Sequence, residues 1–105
     1  MKHYGVIELD VTDRGWTREY VANVTGMVER RGGRYLARTM NNEHTEGEGK
    51  QPQMFVLLEW PSKEVADEFY ASEEYRPYRE ARRAGSRSDI YLVAGEDVNG
   101  VANIG

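Results

Sequence analysis

The chain contains no cysteine. That excludes a disulfide framework, a thiolate nucleophile and a Cys-type zinc site. Histidine occurs only at His3 and His44, and neither sits in a His-x-x-x-His or Glu-x-x-His spacing. No resident metal or cofactor is expected from such a pattern. No apolar run approaches the ~20 residues of a membrane span. The start, Met-Lys-His-Tyr-Gly-Val-Ile-Glu, has no secretory apolar stretch before its first acid. A cytoplasmic protein with no membrane partner is therefore expected. Positive charge is not in excess, because 14 Lys and Arg stand against 18 Asp and Glu, for a net charge of -4. Nucleic-acid binding would need a local basic patch on such a chain, and none is expected as a partner. Gly47-Glu48-Gly49 is no phosphate loop, since the acid in its middle would repel phosphate. No serine lies in a nucleophile elbow.

What is present fits one domain of 105 residues, 39% apolar, with a mean hydropathy of -0.76. A chain this small buries only roughly 65% of its unfolded surface, so a partner subunit is a reasonable expectation. From His3 to Val11 apolar residues alternate with period two, which reads as a strand. Gly5, Ile7, Leu9 and Val11 form one wholly apolar face, expected to meet helices. Tyr4, Val6, Glu8 and Asp10 form the other. Thr12-Asp13 opens a helix whose stripe is Trp16, Tyr20, Val24, Met27 and Val28. Gly32-Gly33 ends it, because glycine takes the left-handed cap without steric penalty. Arg34 to Met40 reads as a second strand, and residues 41–53, free of large apolar side chains, as a loop or hairpin tip. Met54 to Trp60 is the most apolar run and suggests a strand buried on both faces. Ser62 caps a second helix with Val65, Ala66, Phe69 and Tyr70 inward. Ser72 restarts a short helix that carries Pro77 and ends at Gly85, and Asp89 to Ala94 is the last strand.

Strand, helix, strand, strand, helix, strand is the split βαβ order of ferredoxin-like folds. The expected class is α+β, a βαββαβ chain with a four-stranded antiparallel sheet and helices on one face. Residues 1–95 make the domain, and 96–105 a flexible tail or dimer arm. The other face is expected to carry Tyr4, Val6, Val56, Leu58, Trp60 and members of the last strand. A face so apolar would not be left in water. Its expected cover is a second copy packed sheet to sheet about a two-fold axis, giving a homodimer.

Asp10-Val11-Thr12-Asp13, Tyr20, Gly32-Gly33-Arg34-Tyr35-Leu36-Ala37-Arg38 and Glu46-Gly47 then follow a familiar order and spacing. So do Glu59-Trp60-Pro61-Ser62, Ala66, Phe69-Tyr70, Ser72-Glu73-Glu74-Tyr75 and Arg79. From about Tyr4 to Gly95 the chain resembles a bacterial family of uncharacterised small proteins in the dimeric α/β-barrel superfamily. Glu48-Gly49 repeats Glu46-Gly47, and residues 96–105 extend past the family domain. The resemblance implies the fold and a homodimer. It implies no activity.

Three groups of residues could carry chemistry. The first is a polar set around the space between sheet and helices: Glu8, Asp10, Arg38, Glu46, Glu59, Tyr75 and Arg79. Carboxylates on apolar strands are costly to bury unless paired, and Arg38 and Arg79 are available partners. Such a set is either a structural ion-pair network or a clamp for an anionic or carbonyl-bearing ligand. In the catalytic version Glu59 is the base, and Arg38 and Tyr75 hold a developing oxyanion. Glu8, Asp10, Glu46 and Arg79 contact the ligand. The second group is the seven tyrosines, each either core, interface or pocket; Tyr75 is the pocket candidate because it follows the Ser72 cap where the chain turns. The third is Arg76, Arg79, Arg82, Arg83 and Arg87, an anion site or a solvated helix face paired with Glu73, Glu74 and Glu80. The expected function is a small-molecule pocket, with cofactor-free isomerase- or cyclase-type chemistry on a carbonyl compound. The alternatives are a non-catalytic ligand-binding or sensor module and a structural assembly subunit.

Overall fold

Alternating β-branched and aromatic residues suit a pleated surface, and the first segment takes that form. In the computed structural model, which describes residues 1–99, β1 spans His3–Val11, β2 Arg34–Thr39, β3 Met54–Trp60 and β4 Ser86–Ala94. The spatial order is β2-β3-β1-β4, and every neighbouring pair is antiparallel. The described residues also form three α-helices: α1 Thr17–Arg30, α2 Lys63–Ala71 and α3 Arg76–Gly85. The architecture is the ferredoxin-like βαββαβ with its second helical crossover split in two. Residues 100–105 of the expected arm lie outside the described residues.

Local chemistry sets the helix ends. Asp13 accepts from the Gly15 amide at 2.9 Å, but the turn it caps is a 3-10 turn, Arg14–Trp16, and α1 proper starts at Thr17. The cause is a tether. The Thr12 and Asp13 amides and the Trp16 indole all donate to the Gly85 carbonyl, at 2.9, 3.1 and 3.0 Å. This pins the entry to α1 against the end of α3. Gly32 closes α1 with φ 84, a conformation that favours glycine. Ser62 accepts from the Val65 amide at 3.2 Å and caps α2. Ser72 does the same for the Tyr75 amide at 3.2 Å, and Pro77 sits in the first turn of α3, where its missing N–H does no harm. β4 begins three residues before the Asp89 start read from sequence, because its ladder to β1 runs on through Asp10↔Arg87 to Val11↔Ser86.

Residues paired across an antiparallel ladder share a face. Ile7 pairs with Val56, Gly5 with Leu58 and His3 with Trp60. Val56, Leu58 and Trp60 therefore lie on the inner, helix-facing side, not on the outer face assigned to them from sequence. A run such as Met-Phe-Val-Leu-Leu is apolar at both parities and carries no phase. The inner core joins Leu58 and Trp60 to Val24, Met27 and Val28 of α1, Ala66 and Phe69 of α2, and Tyr75. The outer face is instead built from Tyr4 and Val6 of β1, Phe55 and Leu57 of β3, and Tyr91 and Val93 of β4. Leu57, Tyr91 and Val93 are exposed there.

Candidate functional site

A cavity of about 380 Å³ lies between the sheet and the helices. Its floor includes Ile7, Leu9, Val56 and Leu58, and its roof Val21, Val24 and Phe69. Ile90, Leu92 and Tyr70 line it as well and are partly exposed, so this margin is open to solvent. The volume falls within the range of small-molecule sites, which are mostly apolar with a few placed polar groups.

The polar groups come from three elements. The Tyr20 hydroxyl on α1 lies 2.6 Å from the Tyr75 hydroxyl before α3. Arg82, one helical face along α3 from Tyr75, donates from Nε to that hydroxyl at 3.4 Å and from Nη1 to Ser88 Oγ at 2.6 Å. Tyr75 and Arg82 are only 3% and 5% exposed. Aromatic rings continue the cluster: Tyr20 meets Trp16 edge-on, and Tyr75 packs 4.4 Å from Phe69 between centroids. Burial opposes the Arg82 charge, but contact with Tyr75 and then with Tyr20 outweighs it and leaves the guanidinium more basic than usual. Burial, with Tyr75 beside it, pushes the Tyr20 phenol well above its ordinary value. Tyr20 therefore stays a neutral hydroxyl, suited to hydrogen bonding and not to acid–base work.

That shift has a consequence in alkali. Unfolded Tyr20 loses its proton near pH 10, while the folded phenol keeps it. The stabilisation is complete below pH 10 and is lost as pH rises above it, by about 1.4 kcal/mol per pH unit from this group. Urea unfolding at pH 9, 10 and 11 checks this, and Tyr20→Phe should flatten the decline. An equally steep decline in Tyr20→Phe would refute the assignment.

The structure brings together only part of the set read from sequence. Arg38 and Tyr75 both line the cavity. Arg38 lies at its margin, exposed, stacked 4.2 Å over the Tyr35 ring and bonded to Thr25 Oγ1 at 2.9 Å. Glu59 is on the other side of the sheet, paired with Lys2 and Arg34 at 3.4 Å each. It pairs in register with Tyr4 and Arg34, so Arg38 and Glu59 cannot meet. Glu8 and Asp10 share that outer face; Asp10 accepts from the Gln53 amide at 2.7 Å. Glu46 is an exposed loop residue whose carbonyl meets His44 Nε2 at 2.8 Å. Arg79 ties α3 to the end of α2 through the Tyr70 carbonyl at 2.6 Å and pairs with Glu80 at 3.3 Å. Among the described residues no group of three His, Asp or Glu could hold a metal ion.

Sequence reasoning passed over Arg82 by counting it with the solvated arginines. Its neighbours do behave that way: Arg76 pairs with Glu73, and Arg83 with Glu80, each at 3.4 Å on the surface. The available signal was spacing. Tyr75, Tyr78 and Arg82 stand at i, i+3 and i+7, which is one helical stripe.

The family described as a domain of unknown function, DUF1330, matches residues 2–96. No curated protein matches the chain. Its fold is similar to that of a protein of unknown function from Rhodopseudomonas palustris, with a TM-score of 0.75 at 14% identity. That match covers 88% of this chain and 80% of the other. A dimeric ferredoxin-like protein of unknown function from Jannaschia sp. CCS1 gives 0.67 at 13%, covering 90% and 99%. SnoaB, a cofactor-independent oxygenase from Streptomyces nogalater, gives 0.62 at 18%, covering 91% and 94%. At these identities the likeness is one of fold. No described helix is long and apolar enough to cross a membrane.

Proposed function

The chain belongs to the DUF1330 family of domains of unknown function, and from that premise we propose that it binds a small, largely apolar molecule in the cavity between sheet and helices. The observation that carries this reading is the open space of about 380 Å³ beside the Tyr20–Tyr75 hydroxyl pair. Close-packed interiors leave few voids larger than a water molecule, so a space of this size with placed donors suits a ligand. In this reading residues 1–95 form the binding domain of a cytoplasmic homodimer, with 96–105 as an appended arm. The dimer is supported by the apolar outer face and by the dimeric Jannaschia protein of the same fold.

Thermal-shift measurement against small aromatic and carbonyl compounds tests the binding. A ligand at a hundred times its Kd stabilises by about 2.7 kcal/mol, or roughly 10 °C or more for a domain of this size. Val56→Phe directs a larger side chain into the cavity and should abolish the shift while the chain stays folded. A shift that persists in Val56→Phe, or no shift from any compound, would reject the reading.

Cofactor-free chemistry on a carbonyl compound is the second reading, favoured by the Tyr75–Arg82 contact, which could hold an enolate oxygen. The base would then be Asp67 and not Glu59, because Asp67, exposed at the rim and paired with Lys63 at 2.6 Å, is the carboxylate that reaches the cavity wall among the described residues. Asp67→Asn should remove turnover of any bound substrate without removing its thermal shift.

A further inference from the structure

We propose that the recess at the α3–β4 junction is an anion subsite of the cavity, taking the carboxylate or phosphate group of the bound molecule. This rests on the reading of the cavity as a small-molecule site and names the ligand class: an apolar body with one anionic head. The recess has a volume of about 290 Å³ and is lined by Tyr70, Arg82, Arg83, Ser86, Ser88 and Ile90. Tyr70, Arg82 and Ile90 also line the cavity, so the two spaces share a wall.

Arg82 is the reason to expect an anion there. It is a fixed cation, 95% buried by its 5% exposure, and it forms no ion pair with any described residue. Its Nε and Nη1 donate to Tyr75 and Ser88, which are neutral. Its Nη2 is buried and has no partner among the described residues. A buried charge is normally matched by a counter-charge and filled hydrogen bonds. Here the described residues supply no counter-charge and leave Nη2 unfilled, and a ligand oxyanion would supply both.

The surroundings suit that group. The recess wall holds two guanidiniums and no acid, although the chain as a whole carries a net charge of -4. Ser88 Oγ accepts from Arg82, so its own hydrogen is free to be given to an acceptor. Arg83 is held only by an exposed contact to Glu80, a kind of pair that contributes little and is easily exchanged. Two arginines and a hydroxyl around one recess form the donor set that carboxylates and phosphates select.

Calorimetric titration of the full chain tests this with four probes: 2-naphthoate, 2-naphthyl phosphate, 2-naphthalenemethanol and inorganic phosphate. At least one aryl anion should bind tenfold or more tightly than the neutral alcohol; which of the two is tighter identifies the head group. That advantage should vanish in Arg82→Met and shrink in Ser88→Ala and Arg83→Gln. The last two alter partly exposed positions, so they serve if Arg82→Met does not fold. Equal affinity for alcohol and anions overturns the subsite and leaves the cavity reading standing. If no aryl probe binds, the cavity reading fails, and inorganic phosphate decides the recess alone. Phosphate binding lost in Ser88→Ala and Arg83→Gln upholds it, and no phosphate binding overturns it.

Discussion

A Leu57→Asp chain should sediment as a monomer of 12.0 kDa, where the unaltered chain, if it forms the proposed homodimer, should sediment at twice that mass. Leu57 is central to this outcome because of its register. It faces Val6 on β1 and Ala37 on β2, in the middle of the outer face, and is 38% exposed. Tyr4, Val6, Phe55, Tyr91 and Val93 surround it on the same side. Monomeric proteins rarely leave a contiguous apolar patch of that kind in water. When two such faces meet about a two-fold axis, a carboxylate at position 57 is carried into a dry interface in both subunits. An uncompensated buried charge costs about 3 kcal/mol or more, so one in each subunit weakens association roughly ten-thousandfold. The inner core is untouched, so circular dichroism of Leu57→Asp should remain that of the folded chain. An unaltered chain that sediments as a monomer, or a Leu57→Asp chain that still pairs, would remove the homodimer.

Gly85→Val should lower the thermal midpoint by roughly 12 °C or more, the equivalent of about 3 kcal/mol in a domain of this size. Gly85 is buried where the end of α3 meets the turn before α1. A Cβ there would overlap the Trp16 indole and approach the Asp13 carbonyl at 3.2 Å. The indole cannot retreat cheaply, because its Nε1 is bonded to the Gly85 carbonyl and its ring is stacked edge-on against Tyr20. Moving it disturbs three hydrogen bonds to one carbonyl and the hydroxyl pair beyond. Thermal unfolding followed at 222 nm reads the effect. A midpoint within a few degrees of the unaltered chain would show that this junction is not the constraint inferred.

Much of this architecture was legible in the residues. β1 and β3 begin and end where alternation and apolar content change, at His3–Val11 and Met54–Trp60. The Ser62 cap and the Gly32 terminator act where their side-chain chemistry says they should. Three things were hidden, each for a physical reason. The phase of β3 was hidden because both its faces are apolar, and only pairing with β1 sets it. The start of β4 was hidden because Ser86-Arg87-Ser88 is polar and takes strand form from its neighbour's ladder. The polar set is split because Glu59 was assigned inward with that wrong phase, and because composition alone cannot separate Arg82 from the four other arginines near it. Tyr75 and Arg38 were recognised as candidates, and both reach the cavity wall.

The position of β4 carries a cost of another kind. It is an outermost strand with one row of amides and carbonyls unbonded to any other strand, and Ile90-Tyr91-Leu92-Val93 is exposed along it. An open β-edge with four consecutive apolar side chains is a template for runaway strand addition between molecules. Arg87 and Asp89, exposed just upstream, are charged residues of the kind that oppose such addition. Neutralising them would leave the native contacts of the cavity intact and yet turn a soluble preparation toward fibrous precipitate.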